Sequence, residues 1–117
     1  MSTLSTHVLD ITHGRPAAGV SLTLCGEARG EAGGEGGAVL FAGATDEDGR
    51  CPGMPALPTG RYKLTFAVAD YFLKSGIALP EPPFLDLVTI DFGVSGEGHY
   101  HVPLLVSPFG YSTYRGS

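Results

Sequence analysis

The feature that most constrains this chain is the alternation in residues 61–68, where Tyr62, Leu64, Phe66 and Val68 interleave with Arg61, Lys63 and Thr65. A period of two places the apolar set on one face and the polar set on the other. That is the pattern of a strand lying with one side on a core. The alternation returns in residues 100–106. Tyr100, Val102, Leu104 and Val106 share one face, and His99, His101, Pro103 and Leu105 share the other. Pro103 has no N–H to give to a ladder, so its N–H side is expected to face a sheet edge or a bulge. Strand-like runs also occupy residues 5–10, 20–24, 39–44 and 87–92, the last with Val88, Ile90 and Phe92 on its apolar side. The turn Ser107-Pro108-Phe109-Gly110 followed by residues 111–114 reads as a closing hairpin.

Between these runs the 18 glycines and 9 prolines fall in short clusters, the punctuation of many short strands. The sequence 46–49 (DEDG) is a tight turn whose glycine supplies a positive φ. One segment, residues 69–76 (ADYFLKSG), predicts a helix. Asp70 suits the positive end of its dipole, Gly76 can cap its C-terminus, and Pro80, Pro82 and Pro83 forbid its continuation. The expectation is an all-β, antiparallel two-sheet β-sandwich of seven or eight strands with one short helix, forming a single domain over residues 1–117. Residues 28–37 (ARGEAGGEGG) read as a flexible surface loop. They lack the G-K-[ST] of a phosphate cradle, and Glu27, Glu31 and Glu35 would repel phosphate.

The formal net charge is −5 and no run of Lys or Arg occurs, which argues against nucleic acid or an anionic membrane surface as partner. No apolar stretch approaches the roughly 20 residues that span a bilayer. Residues 1–10 are polar and strand-like where a secretory leader would be basic and then apolar. Cys25 and Cys51 lack C-x-x-C spacing and fit unpaired thiols in a reducing compartment, so the cytoplasm is the expected location.

Chemistry-bearing residues concentrate on one kind of surface. His99 and His101, two apart on a strand, project from the face opposite the aliphatic one. His7, beside Leu9 and opposite Val8, repeats the arrangement in residues 5–10. Three readings are open at this point. The histidines are solvated, or they belong to an apolar face that another subunit covers, or His7, His99 and His101 form a three-histidine zinc site. Arg50, after the turn, is either a solvated charge or a guanidinium fork for a planar, carbonyl-rich ligand. No G-x-S-x-G elbow and no paired carboxylates suggest another hydrolytic apparatus. Asp46, Glu47 and Asp48 are too few for a calcium loop.

Three stretches, residues 4–10 (LSTHVLD), 45–50 (TDEDGR) and 99–117 (HYHVPLLVSPFGYSTYRGS), resemble the signatures of 5-hydroxyisourate hydrolases in the transthyretin-like family. The resemblance implies a transthyretin-like sandwich assembled as a homotetramer, with active sites at the dimer–dimer interface. It implies hydrolysis of 5-hydroxyisourate to 2-oxo-4-hydroxy-4-carboxy-5-ureidoimidazoline in purine (urate) breakdown, with no cofactor and no metal. Carried over by position, it implies that His7, Arg50, His101 and Ser117 are catalytic and that His7, Arg50, Tyr114 and His99 bind substrate. Transthyretin itself is a hormone carrier on the same fold, so the His/Arg set and the Tyr-Arg-Gly-Ser ending are what favour the enzyme. Phe109 stands where the family often has Tyr, and the resemblance gives His13 no role.

Overall fold

The computed structural model describes residues 1–26 and 37–116; the loop expected at 28–37 lies, but for Gly37, outside the described residues. Eight strands and one helix follow in the order β1 (Ser2–Asp10), β2 (Arg15–Pro16), β3 (Ser21–Gly26), β4 (Val39–Ala44), β5 (Gly60–Ala67), α1 (Val68–Lys74), β6 (Leu87–Val94), β7 (Gly98–Ser107) and β8 (Gly110–Thr113). They form two four-stranded sheets, β2-β1-β7-β8 and β4-β3-β5-β6. The alternation seen in the sequence is the layer order. Leu64, Phe66, Leu24 and Val88 from one sheet meet Val8, Leu104 and Val106 from the other, all nearly inaccessible. Each such side chain contributes roughly 1.5–3 kcal/mol through burial.

Among the described residues every strand pairing is antiparallel except one. β1 and β7 run parallel over their length, from Ser2 opposite Gly98 to Asp10 opposite Val106. This places Pro103 in an inner strand. The chain tolerates it because of where the missing N–H points. The Pro103 carbonyl accepts from Thr113 Oγ1 at 2.6 Å, so its backbone faces β8, whose ladder ends one position earlier at Leu104–Thr113. The absent donor therefore falls beyond the ladder, where no strand asks for it.

The helix is displaced toward the N-terminus relative to the predicted 69–76. It leaves β5 directly at Val68, burying Val68, Ala69, Tyr71 and Phe72, with no side-chain cap on Ala67. At its other end Gly76 takes φ +95. Its N–H donates to Leu73 O and that of Ile77 to Phe72 O, a glycine-terminated Schellman stop. Asp70 pairs with Lys74 one turn on, at 3.1 Å.

Asp10 ties this helix to the first sheet. Its carboxylate, fully buried, accepts from the backbone N–H of Thr12 and His13, from His13 Nδ1 at 2.6 Å and from Tyr71 Oη at 2.7 Å. Burial pushes its pKa up, but the bonds from Tyr71 and His13 together outweigh this and hold the carboxyl below its ordinary range. His13, without a role in the sequence, is thus a structural partner. A depressed carboxyl stabilises the fold above the ordinary Asp pKa and loses that contribution as pH falls through the folded value. Asp10→Asn is expected to cost roughly 2 kcal/mol at neutral pH. The deficit should shrink in thermal melts near pH 3, close to the ordinary carboxyl value of about 3.9. An equal deficit at both pH values would contradict a charged Asp10.

Candidate functional site

The outer face of the β1/β7 pair brings the sequence-predicted residues together. The parallel register sets Thr3 opposite His99, Ser5 opposite His101 and His7 opposite Pro103. His7 and His101 are therefore diagonal neighbours on one face. Arg50 arrives from the 46–49 turn through an antiparallel bridge to His7, which puts its side chain on that same face. The turn is held by Asp46, whose Oδ1 accepts from the N–H groups of Asp48 and Arg50 at 2.9 and 3.0 Å. His7 Nε2 donates to Asp48 O at 2.8 Å. A carbonyl can only accept, so the neutral ring carries its proton on Nε2 and leaves Nδ1 as the basic nitrogen.

His101 is held on both sides. Its Nδ1 is hydrogen-bonded to Ser5 Oγ at 2.7 Å, and its carbonyl accepts from the N–H of Gly116 at 2.7 Å. Gly116 lies flat against the imidazole: a Cβ there would stand 2.7 Å from His101 Cδ2. Gly49 plays the matching part for His7. It sits at φ +79, and a Cβ on it would overlap Val8 O and come within 3.2 Å of His7 Cδ2. Each of the two central histidines thus rests on a glycine. Burial pushes the His101 pKa down, and the neighbouring charges of Arg50, His7 and His99 push it the same way. The ring is accordingly neutral at neutral pH, the form that accepts a proton.

His99 is exposed, yet both ring nitrogens are engaged: Nδ1 with Thr3 Oγ1 at 2.6 Å and Nε2 with Ser5 Oγ at 2.9 Å. Arg115 stacks 4.0 Å above the Tyr100 ring and donates from Nη2 to His99 O, fastening the tail beside the site. Tyr114 lies on that fastened tail and is 59% exposed. Ser117 falls outside the described residues. Among the described residues no three His, Cys, Asp or Glu side chains group to hold a metal ion. Ser5, Gly49 and Gly116 escaped the sequence reading as members of the site. Ser5 carried a signal, standing two before His7 on the same strand face.

A sequence profile described as the HIUase/Transthyretin family matches residues 4–116. The chain belongs to that family. Its relatives include a 5-hydroxyisourate hydrolase of Caulobacter vibrioides, 49% identical over 120 residues and covering 100% of both chains. The structure of the Klebsiella pneumoniae 5-hydroxyisourate hydrolase superimposes with a TM-score of 0.79 at 40% identity, covering 100% of each chain. Sea bream transthyretin in complex with thyroxine has a TM-score of 0.83 at 29% identity, covering 97% of this chain and 93% of that one. The family's two-sheet sandwich with one short helix is the fold described above, and the expected membership agrees with these matches.

Proposed function

We propose that this chain is a 5-hydroxyisourate hydrolase acting in purine catabolism, with His7, Arg50 and His101 as its reacting set. The observation that carries the proposal is the His7–Arg50–His101 convergence, with His101 kept neutral and oriented by Ser5 and Gly116. A neutral imidazole takes a proton from water as the oxygen attacks the ring carbonyl, a contribution of roughly 10²–10⁴ in rate. The Arg50 fork orients the planar substrate and offsets the developing oxyanion, roughly 10²–10³ per donor. The ring C–N bond then breaks and the leaving nitrogen is protonated, with His7 as the second acid/base group. Tyr114 and His99 line the substrate's approach. Ser117 assists from the end of the Tyr-Arg-Gly-Ser segment, as the family resemblance implies.

The histidine face carries Leu9 and Leu105, half-buried, beside the polar set, and it forms an open sheet surface in one chain. Covering it with a second copy supplies the wall that excludes water, in keeping with a homotetramer whose sites lie between dimers. Light scattering is expected to give a tetramer; a fully active monomer would refute a shared site. A cytoplasmic location suits the two free thiols, Cys25 and Cys51. No helix among the described residues is long and apolar enough to cross a membrane.

The test is the decay of freshly generated 5-hydroxyisourate, followed by ultraviolet absorbance with untreated and chelator-treated protein. Acceleration that survives chelation supports the reading. Decay at the spontaneous rate points to a carrier like transthyretin, and loss on chelation to a metal hydrolase. Because His101 must be neutral to act and its pKa is depressed, the acidic limb of kcat/KM should lie below the ordinary imidazole value of about 6.5. Activity is retained as pH falls to that value and lost only beneath it. A limb above it would exclude His101 as the base.

A further inference from the structure

Hydrolysis of an amide to a carboxylate at neutral pH releases one proton for every turnover. One hydrogen of the water ends on the leaving nitrogen, and the other is shed when the new acid ionises. A site walled off from solvent needs a route for that proton, and the outer face of β1 and β7 offers one. Thr3 Oγ1, His99 Nδ1, His99 Nε2, Ser5 Oγ and His101 Nδ1 form an unbroken row, with links of 2.6, 2.9 and 2.7 Å from hydroxyl to imidazole. The row begins at half-buried His101 and ends at His99 and Thr3, exposed in the single chain at the end of the seam away from Leu9 and Leu105. Ser5 is the one group touching both rings.

We propose that Ser5 and His99 form the proton exit of the His101 site; this rests on the hydrolase reading above. In the ready state Thr3 Oγ1 donates toward Gly98 O, the bond the structure records at 3.5 Å. His99 Nδ1–H then donates to Thr3 Oγ1, Ser5 O–H donates to His99 Nε2, and His101 Nδ1–H donates to Ser5 Oγ. That order leaves His101 Nε2 with its lone pair toward the reaction. When Nε2 takes a proton, the Nδ1 proton passes to Ser5 Oγ as the Ser5 proton passes to His99 Nε2. His99, now charged, gives its Nδ1 proton to solvent at the exposed end. No bond between heavy atoms forms or breaks, and one proton enters and one leaves; after the product departs, exchange of the imidazole and hydroxyl protons with solvent restores the ready order. The charged or titratable neighbours of the row are Arg50 and His7 beside His101, and Arg115, whose Nη2 sits on His99 O. None of these lies between the two rings. His99 and Ser5 are positioning and relay groups, distinct from the base they serve.

The experiment compares kcat and KM for the unaltered enzyme, Ser5→Ala, Ser5→Thr and His99→Gln in weak and in concentrated imidazole buffer. Ser5→Ala and His99→Gln are expected to lose roughly tenfold in kcat in weak buffer, below the roughly 10²–10⁴ of the base itself. KM should be nearly unchanged in Ser5→Ala, and kcat should recover in both variants as the buffer carries the proton in place of the row. Ser5→Thr, which keeps the hydroxyl, is expected to hold its rate without buffer. Unchanged kcat in Ser5→Ala, or a loss that buffer does not relieve, overturns the relay while the hydrolase reading stands. Absence of hydrolysis by the unaltered protein overturns both. Nitrogen-15 NMR gives a readout without substrate: the His101 imidazole signals should move in Ser5→Ala, and signals left in place would also overturn the proposal.

Discussion

Gly49→Ala is expected to lower the melting temperature by roughly 10 °C or more and to abolish most of the activity of whatever folds. Two separate costs meet at this residue. Its φ of +79 lies in the left-handed region, which costs a residue with a side chain roughly 1–3 kcal/mol. The added methyl also overlaps the Val8 carbonyl, which accepts from Ala17 N–H and lies in a packed strand with no room to yield. Overpacking of that kind adds roughly another 1–3 kcal/mol, and for a domain near 100 residues each kcal/mol is worth roughly 4–8 °C. The same methyl reaches His7 Cδ2 and would tilt the ring off Asp48 O. Circular dichroism melts and the substrate-decay assay read the two effects independently. Gly14, also at positive φ but with open space around its Cβ position, is the control, since Gly14→Ala meets only the backbone cost. Equal melting temperatures for the two variants would show that the Val8 contact carries nothing.

His101→Asn is expected to lose roughly 10²–10⁴ in kcat/KM while melting within a few degrees of the parent. The carboxamide can still bond Ser5 Oγ, and the backbone bond from Gly116 N–H to residue 101 O is untouched, so the strand and the tail remain seated. What disappears is a group that titrates. The loss should fall in kcat as well as in kcat/KM, because the proton is taken only as the bond to water forms. A variant of normal turnover would remove His101 from the reaction.

Much of this architecture was legible because burial and strand periodicity coincide. The Tyr62, Leu64, Phe66 alternation gave β5, and 39–44 matches β4 in full. The helix was read one residue late. β5 passes into it without a cap, and a chain with no Ser, Thr, Asp or Asn at the junction gives no start signal. For Pro103, sequence shows that an N–H is missing but not which neighbour would have faced it. His7, Arg50 and His101 could be named from their motifs, but their convergence depends on the parallel β1/β7 register and the His7–Arg50 bridge, which no local pattern encodes. Ser5 looked like an ordinary strand serine until that register set it against His101. By sequence Gly116 is one glycine of the Tyr-Arg-Gly-Ser ending, and only the ring packed on it explains why no side chain fits there.

The parallel seam between β1 and β7 also governs when this site can exist. Ser5 and His101 are separated by 96 positions, so their bond closes nearly the whole chain into a loop. During synthesis the first strand leaves the ribosome with only a two-residue partner, β2, and waits for almost all of the remaining sequence before its main neighbour is made. The second sheet, whose strands pair within the central part of the chain, has all its strand partners earlier. Topologies dominated by distant pairings fold slowly, on the scale of roughly milliseconds to seconds. The half that bears the histidines is therefore the last to form, and an unfinished chain exposes an apolar strand edge before it can bind anything. For this fold, the histidine face cannot assemble before β7 has been made.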